Sequence, residues 1–245
     1  MTQPKHAKVF PPLESDPELF TLLVQALGAS SRIHFEDVFS LNDAEFADSP
    51  TGKADAFVLI APSEDDYEEA LRREETQRMA ALTDEQQKRS ETVIWVEQTI
   101  HNACGFYALL HAVLNIPSAQ SLFTPGSVLD AILKSKSRQE RQNIMEKSHV
   151  LDDAYIPIAL QGQTAVADDW AWEPPFHYIC FVTVQERVWQ LDGNRRGPVD
   201  KGEGRKLVDV VREYMTERGE GAFSLMALVE TTNEHAQDTR ALAGN

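Results

Sequence analysis

Helical and strand periodicities are interleaved irregularly along this chain, and nowhere form the repeating βαβ units that a parallel sheet requires. An α+β fold is the class that remains. From Ser15 to Leu27 the apolar residues Leu19, Leu22, Leu23 and Ala26 recur at helical spacing. Ser15 is the expected N-cap, Pro17 and Glu18 fill the first turn, and Gly28 is the stop. Ala56 to Ala61 reads as a buried strand, and Ser63-Glu64-Asp65-Asp66 as a capping box opening a charged helix to about Leu82. Thr83 to Ser90 reads as a polar connector and Thr92 to Val96 as a strand. Cys104 to Asn115 places Phe106, Leu109, Leu110 and Val113 on one face of a core helix. Two helices are expected between Ser127 and Lys147, strands at His177 to Val184 and Val188 to Leu191, a helix near Arg205 to Thr216, and a last strand from Phe223 to Val229. Asp152 to Pro175 shows no period and reads as a long loop, a length that in a compact chain is usually functional or disordered.

Charge narrows the partners. The formal net charge is −16, and residues Leu13 to Glu97 carry 20 acidic against 7 basic side chains. Nucleic acid and anionic membrane surfaces would be repelled, while a basic protein partner would be attracted. No apolar run approaches the roughly 20 residues needed to span a bilayer, and Met1 to Val9 lacks the apolar core of a signal peptide. A reduced, cytoplasmic location is expected, with the nucleus also open, and Cys104 and Cys180 are expected as free thiols.

Of the two, Cys104 stands at a helix start, where outward-facing N–H groups and the positive dipole end favour a thiolate. Gly105 beside it leaves room for a substrate backbone. Cys180 lies within the apolar run Tyr178-Ile179-Cys180-Phe181-Val182 and reads as inert core. A thiolate nucleophile needs a proton shuttle. His111 is seven residues along the same helix, about 10 Å away, too far for a direct hydrogen bond. The direction of His101 is not readable, His6 and His235 lie in ends expected to be mobile, His34 has no partner in view, and His149 is a further histidine of the chain. His177 opens a strand whose hairpin partner ends in Leu191-Asp192-Gly193. If Gln185 and Glu186 form a two-residue turn, positions summing to 371 are opposite, and Asp192 faces Ile179, diagonal to His177 on one side of the sheet. A three-residue turn would put Asp192 on the other side. Gln98, six residues before Cys104, is placed to offer an amide N–H to an oxyanion.

The run Gln98-Thr99-Ile100-His101-Asn102-Ala103-Cys104-Gly105 with the helix Ala108-Leu109-Leu110-His111-Ala112, the segments His177-Tyr178-Ile179 and Leu191-Asp192-Gly193, and the opening Pro12-Leu13-Glu14 together resemble the ubiquitin C-terminal hydrolases. The resemblance covers roughly Lys8 to Glu230. It implies a single catalytic domain over 1–245 (body about 8–230, short tail 231–245) with a papain-like fold, a central antiparallel sheet flanked by helices, and a knotted backbone. It implies Cys104 as nucleophile, His177 as general base and acid, Asp192 as its orienting partner and Gln98 as oxyanion donor, with no cofactor or metal. Pro12, Leu13 and Phe176 match positions that touch ubiquitin or lie beside that site, and residues about 152–175 match a crossover loop that admits small or unfolded adducts. The expected partner is ubiquitin, with NEDD8 or turnover-free ubiquitin binding as alternatives. With no C-terminal extension of the kind that ties longer relatives to complexes, a monomer is expected. Phe106 departs from the small hydroxyl residue common at that place.

Overall fold

The structure is a computed structural model that describes residues 8–41, 46, 49–63, 65–164, 170, 174–219 and 221–231, without the side chains of 65–72. In chain order the elements are β1 Lys8–Val9, α1 Pro17–Ala26, β2 Ile33–Asp37, a 3-10 turn Thr51–Lys53, β3 Ala56–Pro62, α2 Asp65–Ala81, α3 Asp84–Ser90, β4 Ile100–His101 and α4 Cys104–Leu114. They continue with α5 Ala119–Leu122, α6 Val128–Lys134, α7 Arg138–Lys147, α8 His149–Ala159, β5 Phe176–Val184, β6 Arg187–Leu191, β7 Val199–Glu203, α9 Leu207–Glu217 and β8 Ser224–Glu230. The class is α+β, as expected.

Six strands form one antiparallel sheet in the order β2-β8-β3-β5-β6-β7, and β1 pairs in parallel with β4 apart from it. Central β5 is apolar from Tyr178 to Val182 because it is covered on both faces: Cys180 and Val182 join the cluster around α4, while Ile179 and Phe181 join the cluster around α9. Gln185 and Glu186 both take positive φ (51° and 61°), the pattern of a type I′ turn whose twist matches the flanking strands. Val184 therefore pairs with Arg187 and Cys180 with Leu191, the register of a two-residue turn, so the sum of 371 holds.

Four expectations change. The N-cap of α1 is Asp16, whose carboxylate accepts from the N–H groups of Glu18 (2.7 Å) and Leu19 (3.4 Å), while Ser15 pairs with the hydroxyl of Ser224. Thr83 to Ser90 is not a connector but largely the helix α3, closed by a capping box between Thr83 and Gln86. It buries no side chain, so its sequence lacks an apolar period. Thr92 to Val96 is no strand: its backbone groups bond to side chains of α4 instead of to a neighbouring strand. Asp152 to Pro175 begins in helix, since α8 runs to Ala159 with Leu151, Tyr155 and Ala159 buried one turn apart. Pro157 hides this helix in the sequence; it and Asp153, whose carbonyl it leaves without a helical donor, both lie on the exposed face. The expected capping box at Ser63 to Asp66 falls on side chains outside the described residues.

Candidate active site

Three parts of the fold converge at the N-terminus of α4. Cys104 is its first residue, preceded by Ala103, which gives the helix no side-chain cap, so the N–H groups of the first turn are left for another acceptor. Asn102 turns the chain into the helix with φ of 59° and donates from Nδ2 to the carbonyl of Trp170 at 2.6 Å. Phe106 is wholly buried and meets Phe10 and Tyr155 edge-on at centroid distances of 6.4 and 5.7 Å, so the larger residue is accommodated by an aromatic cluster. Beside Gly105 a side chain would be crowded: a Cβ would lie 3.2 Å from the Tyr178 ring and 3.3 Å from Leu13 Cβ.

The β5–β6 hairpin supplies the second and third groups. His177 is the second residue of β5, and Asp192 follows the last residue of β6. His177 Nε2 donates to Asp192 Oδ1 at 2.7 Å, and both residues are buried. Since Nε2 is committed to the carboxylate, Nδ1 is the ring nitrogen left to serve Cys104, which lies near enough to raise His177 electrostatically. Burial disfavours charge on His177. The Asp192 charge and hydrogen bond, together with Cys104, outweigh it and hold the imidazole well above its ordinary value. Burial likewise opposes the Asp192 carboxylate, yet His177, then Arg195 and the N–H of Asn194, hold it well below the usual range. Arg195 places Nε 3.3 Å from Asp192 Oδ2, a buried cation the sequence reading missed. Cys180 is fully buried, and desolvation pushes its thiol far up, as suits inert core.

Gln98 lies across a tight contact from the acid. Its backbone N–H donates to the carbonyl of Gly193 at 2.8 Å, and its Nε2 donates to Ile100 O at 3.2 Å. An amide nitrogen carries two hydrogens, so one fixes the group and one remains for an oxyanion. A Cβ on Gly193 would sit 2.9 Å from Gln98 Cβ and 3.3 Å from Tyr107 Cβ. We therefore expect Gly193→Ala to push these two segments apart, lowering stability by about 1–3 kcal/mol. Differential scanning calorimetry measures the loss, and an unchanged melting temperature would contradict it.

Of the residues expected to contact a guest, Phe176 is partly exposed and Pro12 half-buried, whereas Leu13 is packed inside against Gly105. The carbonyl of Leu13 accepts from Tyr178 Oη at 2.8 Å and that of Pro11 from Tyr155 Oη at 2.9 Å, so two buried phenols beside Cys104 pin the N-terminal arm. His111 is fully buried. Desolvation lowers it to about 4, against the raising influence of Asp192 and Val96, so it is neutral at physiological pH. Among the described residues no cluster suits a metal ion, and no helix is long and apolar enough to cross a membrane.

Residues 10–220 match the family model described as ubiquitin carboxyl-terminal hydrolase, family 1. The isozyme L1 of Macaca fascicularis, a ubiquitin carboxyl-terminal hydrolase, is 32% identical over 227 residues, covering 89% of this chain and 96% of its own length. The ubiquitin carboxyl-terminal hydrolase YUH1 of Saccharomyces cerevisiae is 31% identical over 199 residues, 78% of each chain. Among solved structures, the UCH37 catalytic domain of Trichinella spiralis, bound to ubiquitin vinyl methyl ester, superposes with a TM-score of 0.65 at 20% identity. That match covers 91% of this chain and 96% of the other, a likeness of fold.

Proposed function

The chain belongs to the ubiquitin carboxyl-terminal hydrolase family 1, a family of cysteine-type deubiquitinating hydrolases, and from that premise we propose that it cleaves small or unfolded adducts from the C-terminal glycine of ubiquitin. The observation that carries the reading is the buried His177–Asp192 pair at 2.7 Å, with the helix-initiating Cys104 near enough to the imidazole to raise it electrostatically. Cys104 Sγ attacks the glycine carbonyl carbon, and the carbonyl oxygen takes up the negative charge. Gln98 Nε2 and the uncapped N–H groups of the first turn of α4 are the donors for that oxyanion. His177 passes a proton to the departing amine, leaving a thioester between Cys104 and the glycine. Water, deprotonated by the same imidazole, attacks the thioester carbon and releases ubiquitin and the thiolate. Asp192 keeps His177 in the tautomer that presents Nδ1 to sulfur.

The substrate scope follows from what lies over the nucleophile. The crossover loop that the resemblance places at about 152–175 supplies that limit in this reading, and at Trp170 its backbone carbonyl accepts from Asn102, two residues ahead of Cys104. A side-chain-free glycine tail passes under such a segment, whereas a folded conjugate does not. The acidity of residues Leu13 to Glu97 attracts the basic tail of that guest.

Incubation with ubiquitin carrying a C-terminal electrophile tests nucleophile and guest together. Intact-mass spectrometry should find one added ubiquitin, mapped by peptide digestion to Cys104. An adduct at Cys180, or none after prolonged incubation, would contradict the proposal.

A further inference from the structure

One polar pair on an otherwise apolar helix has no part in the chemistry above. His111 and Asn115 lie one turn apart at the end of α4, and both reach the extended segment 94–98 that carries Gln98. Asn115 Oδ1 accepts from Ile94 N–H at 2.8 Å and its Nδ2 donates to Ile94 O at 2.9 Å, replacing both partners that a neighbouring strand would offer. His111 engages the same backbone two residues on through one atom, Nε2, which lies 3.0 Å from Val96 N and 3.1 Å from Val96 O and bonds to one or the other according to its tautomer. On its other side the segment is tied to the acid loop: Trp95 Nε1 donates to Asp192 O at 2.9 Å, and Gln98 N–H donates to Gly193 O at 2.8 Å. Residues 94–98 are thus a beam held between α4 and the Asp192 loop, with Gln98 at its end.

We propose that His111 is a positioning residue for the oxyanion donor: its Nε2, anchored on Val96, fixes where Gln98 presents its amide. The position is a costly one for a polar ring. His111 is fully buried and its Nδ1 has no hydrogen-bond partner among the described residues, so a leucine would fill the space without that penalty. What a leucine lacks is an atom for Val96. The inference rests on the oxyanion role given above to Gln98.

The test is steady-state hydrolysis of a fluorogenic ubiquitin amide by His111→Gln, His111→Asn and Gln98→Ala, alone and combined. A glutamine amide reaches the place of Nε2, whereas an asparagine amide reaches only that of Nδ1. His111→Gln should keep kcat within a few-fold, and His111→Asn should lose roughly 10- to 100-fold in kcat with KM little changed. Adding His111→Asn to Gln98→Ala should cost little more than Gln98→Ala alone, because the lost positioning acts through a group already removed. If the two losses multiply, or glutamine fares no better than asparagine, His111 serves stability alone and the proposal is overturned. If Gln98→Ala by itself leaves kcat unchanged, the oxyanion reading fails first and takes this proposal with it.

Discussion

Cys104→Ala is expected to reduce hydrolysis of a fluorogenic ubiquitin amide to background, a loss on the order of 10⁶ in kcat, while ubiquitin binding stays within a few-fold of the native value. The asymmetry follows from where the sulfur sits. Cys104 is only partly buried, and its side chain packs at the margin of the α4 cluster, so removing one sulfur leaves the apolar interior of that helix intact. Alanine is also a favourable residue in a helix. The melting temperature should therefore hardly move. His177 and Asp192 keep their mutual hydrogen bond, but without sulfur to accept the acyl group the only remaining route is direct attack by water. Calorimetric titration with ubiquitin and single-turnover kinetics separate the two quantities. Retained turnover would remove Cys104 from the mechanism, whereas lost binding would move the guest's main contacts onto the nucleophile itself.

The same geometry explains why so much of the site was legible before any coordinates. A hairpin whose turn has two residues admits one register, so Gln185 and Glu186 fix which residue opposes which, and Asp192 falls beside His177 by counting alone. Local periodicity likewise carried Cys104 to the head of α4. What failed was whatever depends on a partner distant in sequence. Thr92 to Val96 has the alternation of a strand, but its backbone is satisfied by His111 and Asn115, whose reach depends on how α4 packs. In the sequence His111 could be weighed only by its distance from Cys104, because its partner, Val96, lies fifteen residues back in the chain. The approach of Arg195 to Asp192 depends on a loop whose path no period encodes. Asp152 to Ala159 was lost to a simpler cause, a proline on a helix face where solvent tolerates it. Signals for two of these were present: a histidine and an asparagine four apart on a helix that is otherwise apolar are worth tracing to a backbone.

Asp192→Asn carries the second large effect, a fall of about 10³- to 10⁴-fold in kcat with ubiquitin affinity nearly unchanged. An asparagine can keep the bond from Asn194 N–H to Oδ1, at 2.9 Å in the native chain. Its amide N–H₂ then faces Arg195; in the flipped orientation that bond is lost and the N–H₂ faces His177 Nε2, where it favours the tautomer that holds a proton on Nδ1 and cannot accept one from Cys104. The pH profile separates this from a general loss of fold. In the native chain burial opposes the imidazolium, and Asp192 is the main influence holding His177 above its ordinary value. Without that carboxylate burial prevails, His177 gives up its proton at lower pH, and the alkaline limb of kcat/KM moves to lower pH. Stability shifts with its own sign. The depressed Asp192 carboxyl contributes stability that is fully present above its unfolded value near 4 and is lost as pH falls. The raised His177 contributes stability that is fully present below its unfolded value near 6.5 and is lost as pH rises through the folded one. The variant should therefore melt below the native protein most clearly between about pH 4 and 6.5, because Arg195 also loses its buried counter-charge there. Equal losses in turnover and affinity, or an alkaline limb that stays in place, would mean that Asp192 does not act through His177.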